Sequence, residues 1–165
     1  MIAECKTWLR DQLVAAGVEA KGVFFELEQL DVSHPMPFAV IVTGRERLER
    51  DGTRVAVETA PGGRARNYRR RLVARTLPVG LVLKHRTEAE ADQVIDQVLA
   101  LMTTGPMDAQ GNRYKVTPRV AVWDNEKSAT LVQARVTLEM EFEGGVYRDS
   151  QVPVFGTVAP EPAGS

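Results

Sequence analysis

The stretch Thr87–Met102, TEAEADQVIDQVLALM, leaves little choice of conformation. Thr87 followed three residues later by Glu90 is a capping box, in which the two side chains satisfy amides left free at a helix start. Glu88 and Glu90 put negative charge at the positive end of the helix dipole. Ala91, Val94, Ile95, Val98, Leu99 and Met102 recur at the spacing of one apolar stripe. Glu88, Asp92, Gln93, Asp96 and Gln97 fall on the other side, and Gly105-Pro106 stops the run. A helix this one-sided needs a sheet to lie on, and its neighbours in sequence supply strands.

Ile2–Ala16 predicts a first helix, with Ile2, Cys5, Leu9, Leu13 and Ala16 on one face, Trp8 beside them and Gly17 placed to cap the end. Gly22 opens a short strand over Val23–Leu27. His34-Pro35-Met36-Pro37 is a loop, because its prolines lack amide donors and push their predecessors to extended backbone. Phe38–Thr43, FAVIVT, suits a strand buried on both faces. Residues 44–68 are polar and hold Asp51-Gly52 and Pro61-Gly62-Gly63. They read as a long loop or hairpin excursion from the sheet, with Val55 and Val57 as members of any hairpin strand. Tyr68–His85 is strand-like, with Pro78 suggesting a bulge or an edge. Asn112–Trp123 is a further strand with Val116, Val120 and Val122 as its apolar members, and Asp124–Lys127 is a turn. In Ala129–Glu143, apolar Val132, Ala134, Val136, Leu138, Met140 and Phe142 alternate with polar residues, so one face is core. Gly144-Gly145 ends it.

These elements predict an α+β fold, a mostly antiparallel sheet with two helices packed on one face. Residues 1–145 form one domain, and 146–165 form an extended arm or a disordered tail. The chain's 165 residues, 44% hydrophobic and 26% charged, match an ordinary globular domain and exclude disorder throughout. A net charge of −1 gives no global pull towards nucleic acid or membrane. The single Cys5 excludes an internal disulfide and fits a reducing compartment. Residues 1–16 lack the basic start and apolar run of a signal peptide, and no segment approaches bilayer length. A soluble, cytoplasmic protein is the expectation.

No catalytic constellation stands out, and neither a metal nor a cofactor is expected. There is no phosphate loop, dinucleotide fingerprint or metal-ligand pair at helical spacing. Cys5 falls on an apolar helix face, where a thiol is inert. His34 and His85 stand alone. Glu139, Glu141 and Glu143 share the polar face of one strand, which is a solvated face or, less simply, a hard-cation site. The one anomaly is basic. Arg64, Arg66, Arg69, Arg70 and Arg71 surround Tyr68, and Arg45, Arg47, Arg50 and Arg54 precede them. The planar fork of arginine suits phosphate or carboxylate. Glu46, Glu49, Asp51 and Glu58 dilute the field, which favours acids of a neighbouring subunit over nucleic acid.

The succession VFFELEQL, PFAVIVTGRERLERDGTRVA, YRRRLVARTLPVGLVLKHRTEAEAD, VWDNEKS and VTLEMEFEGGVYRD resembles the tail-terminator, or tail-completion and neck, proteins of tailed bacteriophages and prophages over residues 1–149. What carries the resemblance is a pattern of elements: a first helix, the PFAVIV strand, a long loop, a basic strand leading into a helix, and a C-terminal hairpin ending in EFEGG. The resemblance implies a non-enzymatic virion protein, assembled in the host cytoplasm. It implies a homo-hexameric ring at the head-proximal end of the tail tube, touching the tube protein and the head connector while DNA passes through unbound. On that reading Arg45, Arg47, Arg50, Arg54, Arg64, Arg66, Arg69, Arg70 and Arg71 lie at the subunit interface, with Val152, Val154 and Phe155 of the arm. Glu139, Glu141 and Glu143 face the lumen, where like charge keeps DNA sliding. The competing readings are a small nucleic-acid-binding module using Arg64–Arg71, and a small enzyme with a cleft around His34 or His85.

Overall fold

The computed structural model describes residues 1–63, 65–128 and 131–154, with 125–128 and 131–132 described by backbone alone. Among these residues two α-helices, α1 (Ile2–Ala15) and α2 (Glu88–Leu101), accompany seven strands. These are β1 (Val23–Phe24), β2 (Phe38–Thr43), β3 (Arg47–Arg50), β4 (Arg54–Thr59), β5 (Ala65–His85), β6 (Lys115–Ser128) and β7 (Leu131–Pro153). The strand order is β1-β2-β5-β7-β6, with β3 and β4 each paired to β5. β1 runs parallel to β2, whereas β2 with β5, β4 with β5, and β6 with β7 are antiparallel. The fold is α+β, as the periodicities predict.

By its contacts the chain divides into two compact units, one of Met1–Arg47 with Arg75–Gly144, the other of Leu48–Ala74 with the chain from Gly145 onward. The start of β5 and the strand residues before it, from Leu48, thus go with the end of β7, and the boundary expected at 145/146 is one of several.

The first unit holds the core. Strand alternation sends Ala39, Ile41, Leu77, Val79, Leu81, Leu83, Ala134, Val136, Leu138, Met140 and Phe142 to one face. Cys5, Leu9 and Leu13 of α1 and Ala91, Val94, Ile95 and Val98 of α2 pack in the same cluster. Ile2, expected on that face, is exposed. Trp8 meets Phe142 edge-on at 5.9 Å between ring centroids. Gly17, at φ 95°, closes α1 in the left-handed conformation that glycine adopts without strain. At α2 the Thr87 Oγ1 accepts from the Glu90 amide at 3.3 Å, and its hydroxyl donates to the Glu90 carboxylate at 2.8 Å. The cap is present, but the carboxylate meets the hydroxyl instead of closing the usual box.

On the opposite face, Phe38 and Val40 are covered by the segment that follows β1, where the expected Val23–Leu27 strand gives way after two residues to a helical turn over Leu27–Asp31. His34 stacks on Phe24 at 4.2 Å and lies edge-on to Phe38 at 5.0 Å. Lys84 donates to the Leu30 carbonyl at 3.1 Å. Pro78 makes no bulge against β2. That ladder runs unshifted to Thr43–Val79, and the Pro78 carbonyl accepts from the Gly44 amide at 2.8 Å. The register shift falls instead at Pro118, on the last strand of the order, where a missing donor is tolerated.

Of the two forms expected for residues 44–68, a long loop or a hairpin excursion, the hairpin is the one found: β4, with Val55 and Val57, pairs antiparallel with β5, and β3 pairs with β5 as well. Two further expectations are corrected. Asp124–Lys127 is not a turn but part of β6, whose ladder with β7 extends to Ser128–Leu131. Gly144-Gly145 does not end β7. A Cβ on Gly144 would lie 2.5 Å from the Tyr114 ring, and one on Gly145 2.6 Å from the Arg71 side chain, so these glycines mark close approach within a continuing strand.

Candidate assembly surfaces

The second unit is a ribbon without a core. Among its described residues only Ala60 is buried. Leu48, Val55, Val57, Val146, Val152 and Val154 are exposed, several to about half their area. Paired backbone satisfies the hydrogen bonds of such a ribbon but leaves its apolar side chains in water.

The β4–β5 register sorts the arginine cluster onto two faces. Arg54 lies opposite Arg70, Val57 opposite Tyr68 and Thr59 opposite Arg66, and facing residues share a side of the sheet. A shift between Arg54 and Ala56 absorbs one residue, so Ala56–Arg69 and Glu58–Asn67 point the other way. On the first face Arg54 sits over the Tyr68 ring, 4.6 Å from its centroid, as a cation–π pair. Arg66 and Arg70 are exposed there, with no acid at ion-pair distance among the described residues.

On the second face the arginines are spoken for within the chain. Arg69 binds Asp149 through two 2.7 Å hydrogen bonds, beside an open cavity of about 530 Å³ lined by Glu58, Asn67 and Gln151. Arg71 Nε donates to Asp51 at 2.5 Å, and Asp51 also accepts from the Thr53 amide at 2.8 Å and from its hydroxyl. These bonds, from Thr53 first and then Arg71, hold the Asp51 carboxyl well below the usual carboxylate range. The acids that face Arg69 and Arg71 here are the chain's own. Arg75 likewise forks onto Glu46 at 2.9 Å, inside the first unit. Arg45, Arg47 and Arg50 are exposed, as are Val152 and Val154, whereas Arg64 and Phe155 lie outside the described residues.

Glu139, Glu141 and Glu143 form one row on the sheet face away from the helices, as alternation predicts. Arg119 binds Glu141 through Nε at 2.9 Å and through Nη2, and Lys115 stands 3.7 Å from Glu143. Two of the three charges are thus compensated by cations on β6. Beside the row, Leu27, Leu30, Val42 and Val82 floor an open groove of about 530 Å³, with Arg119 and Arg135 at its rim. Val120 and Val122, read as apolar members of this strand, are about half exposed on this same face.

Cys5 and the two histidines each have a defined environment. Cys5 is buried, and burial pushes its thiol up to about 12. His34 Nε2 lies 3.2 Å from the Gln29 carbonyl, and His85 Nδ1 lies 2.9 Å from Glu90. Among the described residues no group of three His, Cys, Asp or Glu side chains is placed to hold a metal ion, and no helix is long and apolar enough to cross a membrane. Asp51 and Asp149 went unrecognised as arginine partners, since Asp149 is 80 residues from Arg69 in sequence.

No protein-family model and no curated protein matches the chain. Among solved structures, a chain of the virion of a native gene transfer agent particle is similar in fold, at 12% identity and a TM-score of 0.46 over 87% of this chain and 97% of that one.

Proposed function

We propose that this protein is a structural, non-catalytic component of a phage-like virion, one that closes a tail tube as a homo-hexameric ring and joins it to the head connector. The observation that carries the proposal is the coreless ribbon, with exposed valines and with Arg54, Arg66 and Arg70 on one face, where no acid stands at ion-pair distance among the described residues. Such a surface is stable in water yet unsatisfied, and a repeating contact between copies would cover it. The sequence resemblance supplies the tail, the head connector and the six-fold number. Contacts to tube and connector fall to the remaining exposed surfaces, and DNA passes through the ring without specific binding.

The test is association of the purified full chain. A closed oligomer near six subunits with a central hole in electron micrographs supports the reading. A monomer at every concentration tested contradicts it.

One observation favours a second reading. Arg66, Arg70 and the Arg54–Tyr68 pair, on one open face, are also what a phosphate backbone and an unstacked base would meet. Retention on single-stranded DNA that falls steeply with salt would favour this nucleic-acid module over the ring.

A further inference from the structure

We propose that the Arg54, Arg66 and Arg70 face of one copy docks on the Glu88, Asp92 and Asp96 edge of α2 in the next copy, a head-to-tail contact that rests on the ring reading above. Glu88, Asp92 and Asp96 are exposed and recur every four residues, so they form one row along the helix. The two rows are commensurate. Same-face residues on a strand repeat at roughly 6.6 Å, which sets Arg66 and Arg70 about 13 Å apart, with Tyr68 midway. The Arg54 guanidinium stands over that central ring, 4.6 Å from its centroid. Four helical residues rise roughly 6 Å, which sets Glu88 and Asp96 about 12 Å apart with Asp92 midway. The arginine row thus spans nearly the same length as the acidic row, in which Asp92 and Asp96 carry the pairing and Glu88 also has a contact within its own chain.

The apolar neighbours match as well. Val57, opposite Tyr68 in the ladder, is 49% exposed. Trp123, which is 38% exposed, lines a depression of about 480 Å³ with Glu88, Ala89 and Asp92. The docked pair buries an aromatic and a valine between the two charged rows, an apolar centre within a polar rim. The two patches lie on different parts of one chain, so the contact is heterologous, and heterologous contacts close rings when the rotation closes.

Four forms of the full chain test this by sedimentation velocity: wild type, R66E/R70E, D92R/D96R, and all four substitutions together. Every substituted position is on the surface, and thermal melts check that each variant keeps the wild-type fold. The expected result is that each double reversal weakens self-association by roughly 100-fold, as like-charge juxtaposition does, and that the quadruple reversal restores it. If D92R/D96R associates like wild type while R66E/R70E does not, the arginine face meets something other than α2, and the inference fails while the ring reading stands. If the wild type does not associate, both fail. If R66E/R70E loses only DNA retention and associates normally, the face belongs to nucleic acid and the inference is overturned.

Discussion

Arg69 and Asp149, 80 residues apart in sequence, meet through two parallel 2.7 Å hydrogen bonds that join the first part of β5 to the last part of β7. A bidentate arginine–carboxylate pair fixes orientation as well as distance. It accompanies the continuation of β7 to Pro153, through residues expected to form an extended arm or a disordered tail. Replacing Asp149 with Asn should speed amide exchange in residues 146–153 several-fold and leave the α2 amides unchanged. Unchanged exchange in 146–153 would show that the backbone ladder alone holds the extension.

Asp51 makes the link between β3 and β4, which both pair with β5, acid-sensitive. Its carboxyl is depressed in the folded state by Thr53 and Arg71, so the unfolded chain binds the proton more readily. The contribution is fully present above the unfolded value of about 3.9, and it fades as pH falls below that towards the folded value. Exchange of the Thr53 and Arg71 amides should accelerate as pH is lowered from 5 towards 2, beyond the intrinsic pH dependence. In Asp51→Asn that extra acceleration should be absent. A wild-type profile parallel to that of the variant would rule this out.

Gly144 should not tolerate a side chain. A Cβ there would sit 2.5 Å from the ring of Tyr114, which is 5% exposed and has little room to move. Burial also pushes the Tyr114 phenol up to about 12. The same tyrosine is pinned on its backbone side, where a Cβ on Gly105 would fall 1.9 Å from its carbonyl oxygen. Gly144→Ala should therefore cost about 1–3 kcal/mol in denaturant unfolding, the usual cost of overpacking. Gly111→Asn, at φ 80° with open space around it, should cost far less. Equal losses would place the constraint in the backbone and not in the tyrosine contact.

What could be read from the residues follows burial. Where one face is core, as in α2 and in Ala134–Phe142, side-chain period and structure agree, because the apolar stripe records which side is dry. The row of Glu139, Glu141 and Glu143 was legible for the same reason. β3, β4 and the end of β7 hide neither face, so their composition looks like loop although their backbones are paired. Gly144-Gly145 looked like a stop because sequence does not show that Tyr114 and Arg71 approach there. The division of the arginine cluster depends on one register shift between Arg54 and Ala56, and a shift of that kind leaves no periodic trace.

The central claim is that copies of this chain join through the ribbon into a closed ring. Native mass of the full chain by light scattering, across protein concentration and with and without divalent salt, addresses it most directly. The account predicts a discrete assembly near six subunits that R66E/R70E reduces to monomer. A protein that stays monomeric throughout, or a hexamer indifferent to those reversals, would contradict it.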